Sequence, residues 1–165
     1  MEFSIKSITL FIGILLVGLS AGFFYAWQVT VIPGTRKVVD LVYLESMQSI
    51  NRAILNPAFF LSFFGAPIVL GISTWQHHGT GQSFWFLLAA TLVYLFGTFA
   101  VTAFGNVPLN DALDVLDLAE LTTADQEKFR NHYESKWNRL HVIRTVFSVL
   151  SFGLSLMAAF VSGPS

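Results

Sequence analysis

The chain has 165 residues, of which 54% are hydrophobic and only 12% charged, whereas a soluble domain carries roughly 25% charged residues. With a mean hydropathy of +0.64, this composition excludes an ordinary soluble globular domain, and a net charge of −1 offers nothing to a nucleic acid. The absence of cysteine excludes disulfides, thiolate nucleophiles and thiolate metal sites, and 17 Phe suit a surface that faces lipid.

About 20 apolar residues cross roughly 30 Å of hydrocarbon. The first such run covers about residues 8–31 and has no formal charge. A cleaved signal peptide is the competing reading, since Lys6 precedes the run, but Phe23, Phe24, Tyr25 and Trp27 carry it beyond a signal h-region. Gly18 and Gly22 form a GxxxG pair, which favours close helix approach in a membrane. Ser20, Tyr25 and Gln28 are its polar residues; Gln28 sits at the interface or bonds across the bundle.

Residues 36–55 read as a short amphipathic helix. Val39, Tyr43, Met47 and Ile50 make an apolar stripe at helical spacing, with Gln48, Asn51 and Arg52 as a polar patch beside it and Asn56 ahead of Pro57. The second span covers about residues 57–75 and the third about 84–104, joined by a short turn at His77-His78. In Phe104-Gly105-Asn106-Val107-Pro108-Leu109-Asn110-Asp111, Asn106 is placed to cap a new helix over 108–120, where Pro108 costs little in the first turn. Capping explains Asn106 but not Asn110, and a helix N-terminus offers free N–H groups to an anion or carbonyl oxygen. Thr123-Ala124-Asp125-Gln126 reads as a capping box. No Pro or Gly follows until residue 153, so the fourth span, about 141–161, is the end of one long helix.

Trp137, His141 and Arg144 share one face of that helix at i, i+4, i+7. Arg144 either snorkels to lipid phosphates or faces the bundle as a buried cation that binds an anionic or enolic oxygen. Metal chemistry finds little support. His77 and His78 are adjacent, His132 and His141 lie on different faces, and the spans hold no Asp or Glu for a di-iron carboxylate site. The basic residues orient the bundle. Arg36, Lys37, Arg52, Lys128, Arg130, Lys136 and Arg139 lie in the two long loops and only Lys6 lies on the other side, which makes the loops cytoplasmic and the termini external.

Four stretches together resemble the anthrone oxygenase-like family of small four-span membrane proteins, long catalogued as a domain of unknown function. They are Ala21 to Trp27, Met47 to Ile54, Phe104 to Asn110 and Trp137 to Arg144, and they span nearly the whole chain in order. The resemblance implies oxidation of anthrones to anthraquinones by O₂ without a cofactor, as in fungal members. In the family pattern the His141 position is often Asn, which can orient or polarise but cannot act as a general base.

The expected fold is therefore all-α: a four-helix transmembrane bundle, one domain over residues 1–165, with short amphipathic helices in the cytoplasmic loops. The expected function is a membrane oxygenase that uses O₂, and no cofactor or metal, on an anthrone-like or other enolisable aromatic substrate. Arg144, Asn106 and Asn110 are the expected oxyanion donors and His141 the base or orienting group. Gln48, Asn51, Arg52, Trp137, Tyr25 and Gln28 are the expected substrate-binding residues. Partners are the small hydrophobic substrate, O₂ and the bilayer, and a homo-oligomer stays open. The rival reading is a non-enzymatic membrane protein holding a lipid-like or quinone-like ligand or a partner subunit; a transporter is a third. A ring-sized pocket beside Arg144 separates ligand chemistry from tight structural packing.

Overall fold

A computed structural model of the protein describes residues 4–162, which form helices and turns with no strand among them. Five helices follow one another: α1 Ile5–Thr35, α2 Asp40–Ala53, α3 Pro57–Gln76, α4 Gln82–Asp114 and α5 Thr123–Val161. All but α2 are long and apolar enough to cross a membrane, so the protein is an integral membrane protein.

Local chemistry sets the helix starts. The Ser4 side chain accepts from the Ser7 N–H at 3.2 Å, and Asn56 Oδ1 accepts from the Phe59 N–H at 3.0 Å just ahead of Pro57. The last helix is capped by Thr122, one residue earlier than the sequence predicts, because the Thr122 hydroxyl is the group that reaches the Asp125 N–H at 3.2 Å.

In the bundle α1 packs on α3 and α5, and α4 packs on the same two helices. The core of the spans is apolar, built on Val17, Ala66, Leu70, Leu87, Ala90 and Tyr94. Some of its polar groups are paired across helices, as polar side chains between membrane helices often are. The Tyr94 hydroxyl donates to Ser20 Oγ at 3.0 Å and also lies 3.2 Å from the Phe63 carbonyl; Ser151 donates to the Ala90 carbonyl at 2.8 Å. Close approach uses Gly97, where an added Cβ would lie 2.0 Å from the Phe147 ring. Only half of the GxxxG pair acts this way. Gly18 faces Phe152, while Gly22 has no neighbour within 4 Å of a built Cβ.

A second core lies at the end of the bundle that carries both long loops, where α2 lies between α4 and α5. Tyr43, Leu44 and Met47 are its buried α2 residues. Val39 is 70% exposed, because it precedes the first helical residue and does not belong to the stripe. Burial pushes the Tyr43 phenol well above its ordinary pKa, so it stays neutral. Arg130 of α5 fastens this end: it donates to the Val38 carbonyl at 2.7 Å, to Asp40 at 2.9 Å and to Glu134 at 2.9 Å, and lies 4.5 Å over the Tyr43 ring.

α1 and α4 are not regular throughout. A π-helical turn occupies Trp27–Val31 in α1, and two more occupy Tyr94–Ala100 and Thr102–Asn106 in α4. The first and third each end one residue before an X-Pro pair, Ile32-Pro33 and Val107-Pro108. In both, the N–H before the proline reaches back five residues, Ile32 to the Trp27 carbonyl and Val107 to the Thr102 carbonyl. Proline cannot donate and its ring crowds the carbonyl four residues back, so widening the preceding turn lets the helix continue past it.

This overturns one expectation. Asn106 does not cap a new helix. It has helical dihedrals (φ −72°, ψ −39°), caps nothing with its side chain, and lies inside one continuous helix. The helix also ends at Asp114 and not at residue 120, giving way to a turn over residues 115–122.

Candidate functional site

Arg144 enters the bundle from α5 and is 6% exposed, so the buried-cation arrangement holds and snorkelling does not. Its guanidinium carbon lies 4.7 Å over the Phe24 ring and 4.9 Å over the Trp137 ring. Nε and Nη2 donate to His141 Nδ1 at 3.1 and 2.9 Å. No Asp or Glu lies within ion-pair distance among the described residues.

His141 is fully buried and stacks on Trp137 at 5.0 Å and 6°. A guanidinium can only donate, so Nδ1 is the acceptor and the imidazole is the Nε2–H tautomer. That N–H donates to the Phe24 carbonyl at 3.1 Å, in the last turn before the π segment of α1. Both ring nitrogens are engaged.

A relay of hydrogen bonds fixes the next group. Asn51 of α2 donates to the Tyr133 hydroxyl at 3.1 Å, Tyr133 donates to Asn110 Oδ1 at 3.1 Å, and Trp137 Nε1 donates to the same oxygen at 2.8 Å. With both lone pairs of that oxygen used, Asn110 is held with its NH₂ as the free end.

Some of these side chains border a cavity of about 310 Å³ between α1, α2, α3, α4 and α5, within the size range of small-molecule sites. Arg144, Asn110, Asn51 and Trp137 line it, along with Arg52, Trp27 and Thr102. Its apolar walls are rings: Phe59 and Phe63 stack at 5.2 Å and 14°, and Trp27 lies 5.9 Å from Trp137. A second, more open groove of about 630 Å³ runs between α1, α2 and α3 and shares Phe23, Trp27, Ile50, Ile54 and Phe59 with the cavity.

Of the other candidates, only Arg52 reaches the cavity. Asn106 is fully buried behind the cavity wall; its Nδ2 donates to the Trp137 carbonyl at 3.3 Å and its Oδ1 has no partner. Gln48 clamps the end of α4 through the Leu113 and Leu116 carbonyls at 2.8 and 3.1 Å. Arg52 reaches the wall but pairs with Asp114 at 2.6 Å. Tyr25 is 57% exposed on the outside of α1. Gln28 borders a different, polar pocket with Arg36, Asn131 and Asn138, and its buried Oε1 has no partner. Tyr133, Trp27 and the Phe59–Phe63 pair join the site although none is among the residues expected there from the sequence. Tyr133 stands four residues before Trp137 on the same face, and that spacing was the available signal.

Residues 47–154 match the anthrone oxygenase family. The chain belongs to this family. The match to the anthrone oxygenase family runs from α2 into α5, and so takes in Asn51, Asn110, Trp137, His141 and Arg144. It leaves out α1, which gives the cavity Phe23 and Trp27. No curated protein and no solved structure matches the chain.

Among the described residues of this anthrone oxygenase family member, no group of three or more His, Asp or Glu is arranged to hold a metal ion. What the site offers is donors. A guanidinium with no ion-pair partner among the described residues and a locked carboxamide face a ring-walled space, an arrangement that stabilises negative charge developing on a ligand oxygen.

Proposed function

We propose that the protein catalyses O₂-dependent oxidation of an anthrone-like, enolisable aromatic substrate, with no bound metal or organic cofactor. The overall change is the conversion of a ring CH₂ and O₂ to a ring C=O and H₂O. Loss of a C–H proton gives an enolate, in which the former carbonyl oxygen carries the charge. The enolate carbon is electron-rich enough to reduce O₂ directly and then bond to it. The resulting hydroperoxide loses water to give the quinone carbonyl.

The observation that carries this reading is Arg144: buried, unpaired with any carboxylate among the described residues, and at the wall of an aromatic cavity. In the proposed complex the flat rings lie among Trp27, Phe59 and Phe63. The enolate oxygen accepts from Arg144 and the Asn110 NH₂. His141 acts as a positioning residue that holds the guanidinium, and Asn106 supports the Trp137 backbone. The long loops, and this end of the bundle, face the cytoplasm, supported by seven basic residues against one.

The test is O₂ uptake by the purified, chelator-treated protein in vesicles with anthrones and related phenols. Uptake above background that falls by on the order of 10²–10³ in Arg144→Ala, the loss expected for one preorganised oxyanion donor, is the expected result. Binding of these compounds without turnover would make the protein a ligand carrier, and activity that follows added iron or copper would end the cofactor-free mechanism.

A further inference from the structure

The proposed reaction needs a base at the substrate carbon, and the cavity contains a group that fits. His141 is poorly placed for it: both ring nitrogens are committed, to Arg144 and to the Phe24 carbonyl, and its ring is not on the cavity wall. Two carboxylates do line the cavity, Asp111 and Asp114. Asp114 is occupied, since its Oδ1 takes the Arg52 Nε–H at 2.6 Å. Asp111 enters into no ion pair among the described residues. It follows Asn110 within the helical turn that ends α4, so regular helix backbone carries this carboxylate at the cavity wall.

We infer that Asp111 is the general base of the proposed oxidation, removing the proton from the substrate's ring CH₂. The inference rests on the reading above. The geometry of the substrate supports it. In a three-ring anthrone the CH₂ and the carbonyl lie at opposite edges of the central ring, so the base must stand apart from the guanidinium that holds the oxygen, and because consecutive helix residues diverge by roughly 100° Asp111 is not aimed with Asn110 at that oxygen. Asp111 on α4 and Arg144 on α5 border one cavity and are not ion-paired to each other. A direct Asp–Arg pair would cancel both functions. In the step itself a carboxylate oxygen takes the C–H proton, the C–H electron pair enters the ring, and the negative charge arrives on the oxygen held by Arg144. The carboxylic acid so formed is then the nearest proton source for the peroxide oxygen.

Removing O₂ isolates this step. Purified protein in vesicles, held anaerobically in heavy water with an anthrone, should speed exchange of the ring CH₂ hydrogens for deuterium, read by mass spectrometry. Asp111→Asn should lower the catalysed exchange by on the order of 10²–10⁴, the usual contribution of a positioned base. Asp111→Ala should recover part of it when formate is added, which a merely structural role would not produce. Exchange in Asp111→Asn at the wild-type rate overturns the role of Asp111 and leaves the oxidation standing. Failure of the wild-type protein to speed either exchange or O₂ uptake overturns both.

Discussion

A guanidinium at the centre of a transmembrane helix costs about 2.5–3.5 kcal/mol by insertion scales, an upper bound for Arg144, which lies one turn inside its span. Here two ring faces at 4.7 and 4.9 Å take up much of that cost, at roughly 0.5–2 kcal/mol each. Arg144 therefore persists without a carboxylate, and its charge is left for a ligand. A lysine keeps the charge but loses the planar fork and the stacking, so Arg144→Lys should behave nearly like Arg144→Ala in O₂ uptake. Position 141 should respond differently. The oxygen of an Asn carboxamide can accept from Arg144 as the imidazole Nδ1 does, so His141→Asn should keep most of the activity, while His141→Leu should lose it; the same O₂ uptake measurement separates the two. At this scale much was legible in the sequence, because spacing alone put Trp137, His141 and Arg144 on one face. What was not legible depends on distant partners. Tyr133 takes its meaning from Asn51, 82 residues away, and in isolation reads as an interfacial anchor. Asn106 before Val-Pro reads as a cap, and only the continuity of α4 shows otherwise.

Helix regularity is broken where the site is built. Trp27 opens one π turn and Asn106 closes another, and each of these turns is followed by X-Pro. In an α-helix each residue advances by roughly 100°, so the wide turn of α4 sets how residues before Pro108 are aimed relative to Asn110. Pro108→Ala restores an N–H and removes the ring, letting that turn tighten to α geometry. Its thermal unfolding should be unchanged or later, while O₂ uptake falls, a combination that separates aiming from stability. Gly97→Ala tests packing instead. A methyl there would lie 2.0 Å from the Phe147 ring, and overpacking of this kind costs about 1–3 kcal/mol, so the protein should unfold several degrees earlier in a thermal scan. Apolar length made all four spans legible, and the uninterrupted run after Thr123 made α5 legible. The π turns were not, because proline within an apolar run signals either a helix start or a kink, and only the neighbouring helices decide which.

At the scale of the molecule the bundle divides its labour between two ends. One has a short turn at His77 to Gly81; the other has α2, the second core and the cavity. The proposed orientation can be checked directly because the chain has no cysteine. Thr80→Cys should react with an impermeant thiol reagent in intact cells and Ala124→Cys should not; the reverse pattern would invert the assignment. Hydropathy gives the number of spans but not their neighbours, so the four-span plan was readable and the contact of α1 with α3 and α5 was not. The groove between α1, α2 and α3 completes the picture. It is walled by Leu19, Phe23 and Phe59 within the spans and merges with the cavity through shared residues. A substrate that takes this route is dissolved in acyl chains before it is bound, so the protein works in a two-dimensional solvent. Its turnover should then follow moles of substrate per mole of lipid. Diluting vesicles with buffer should leave the rate per protein unchanged, whereas blending in inert lipid should lower it in proportion.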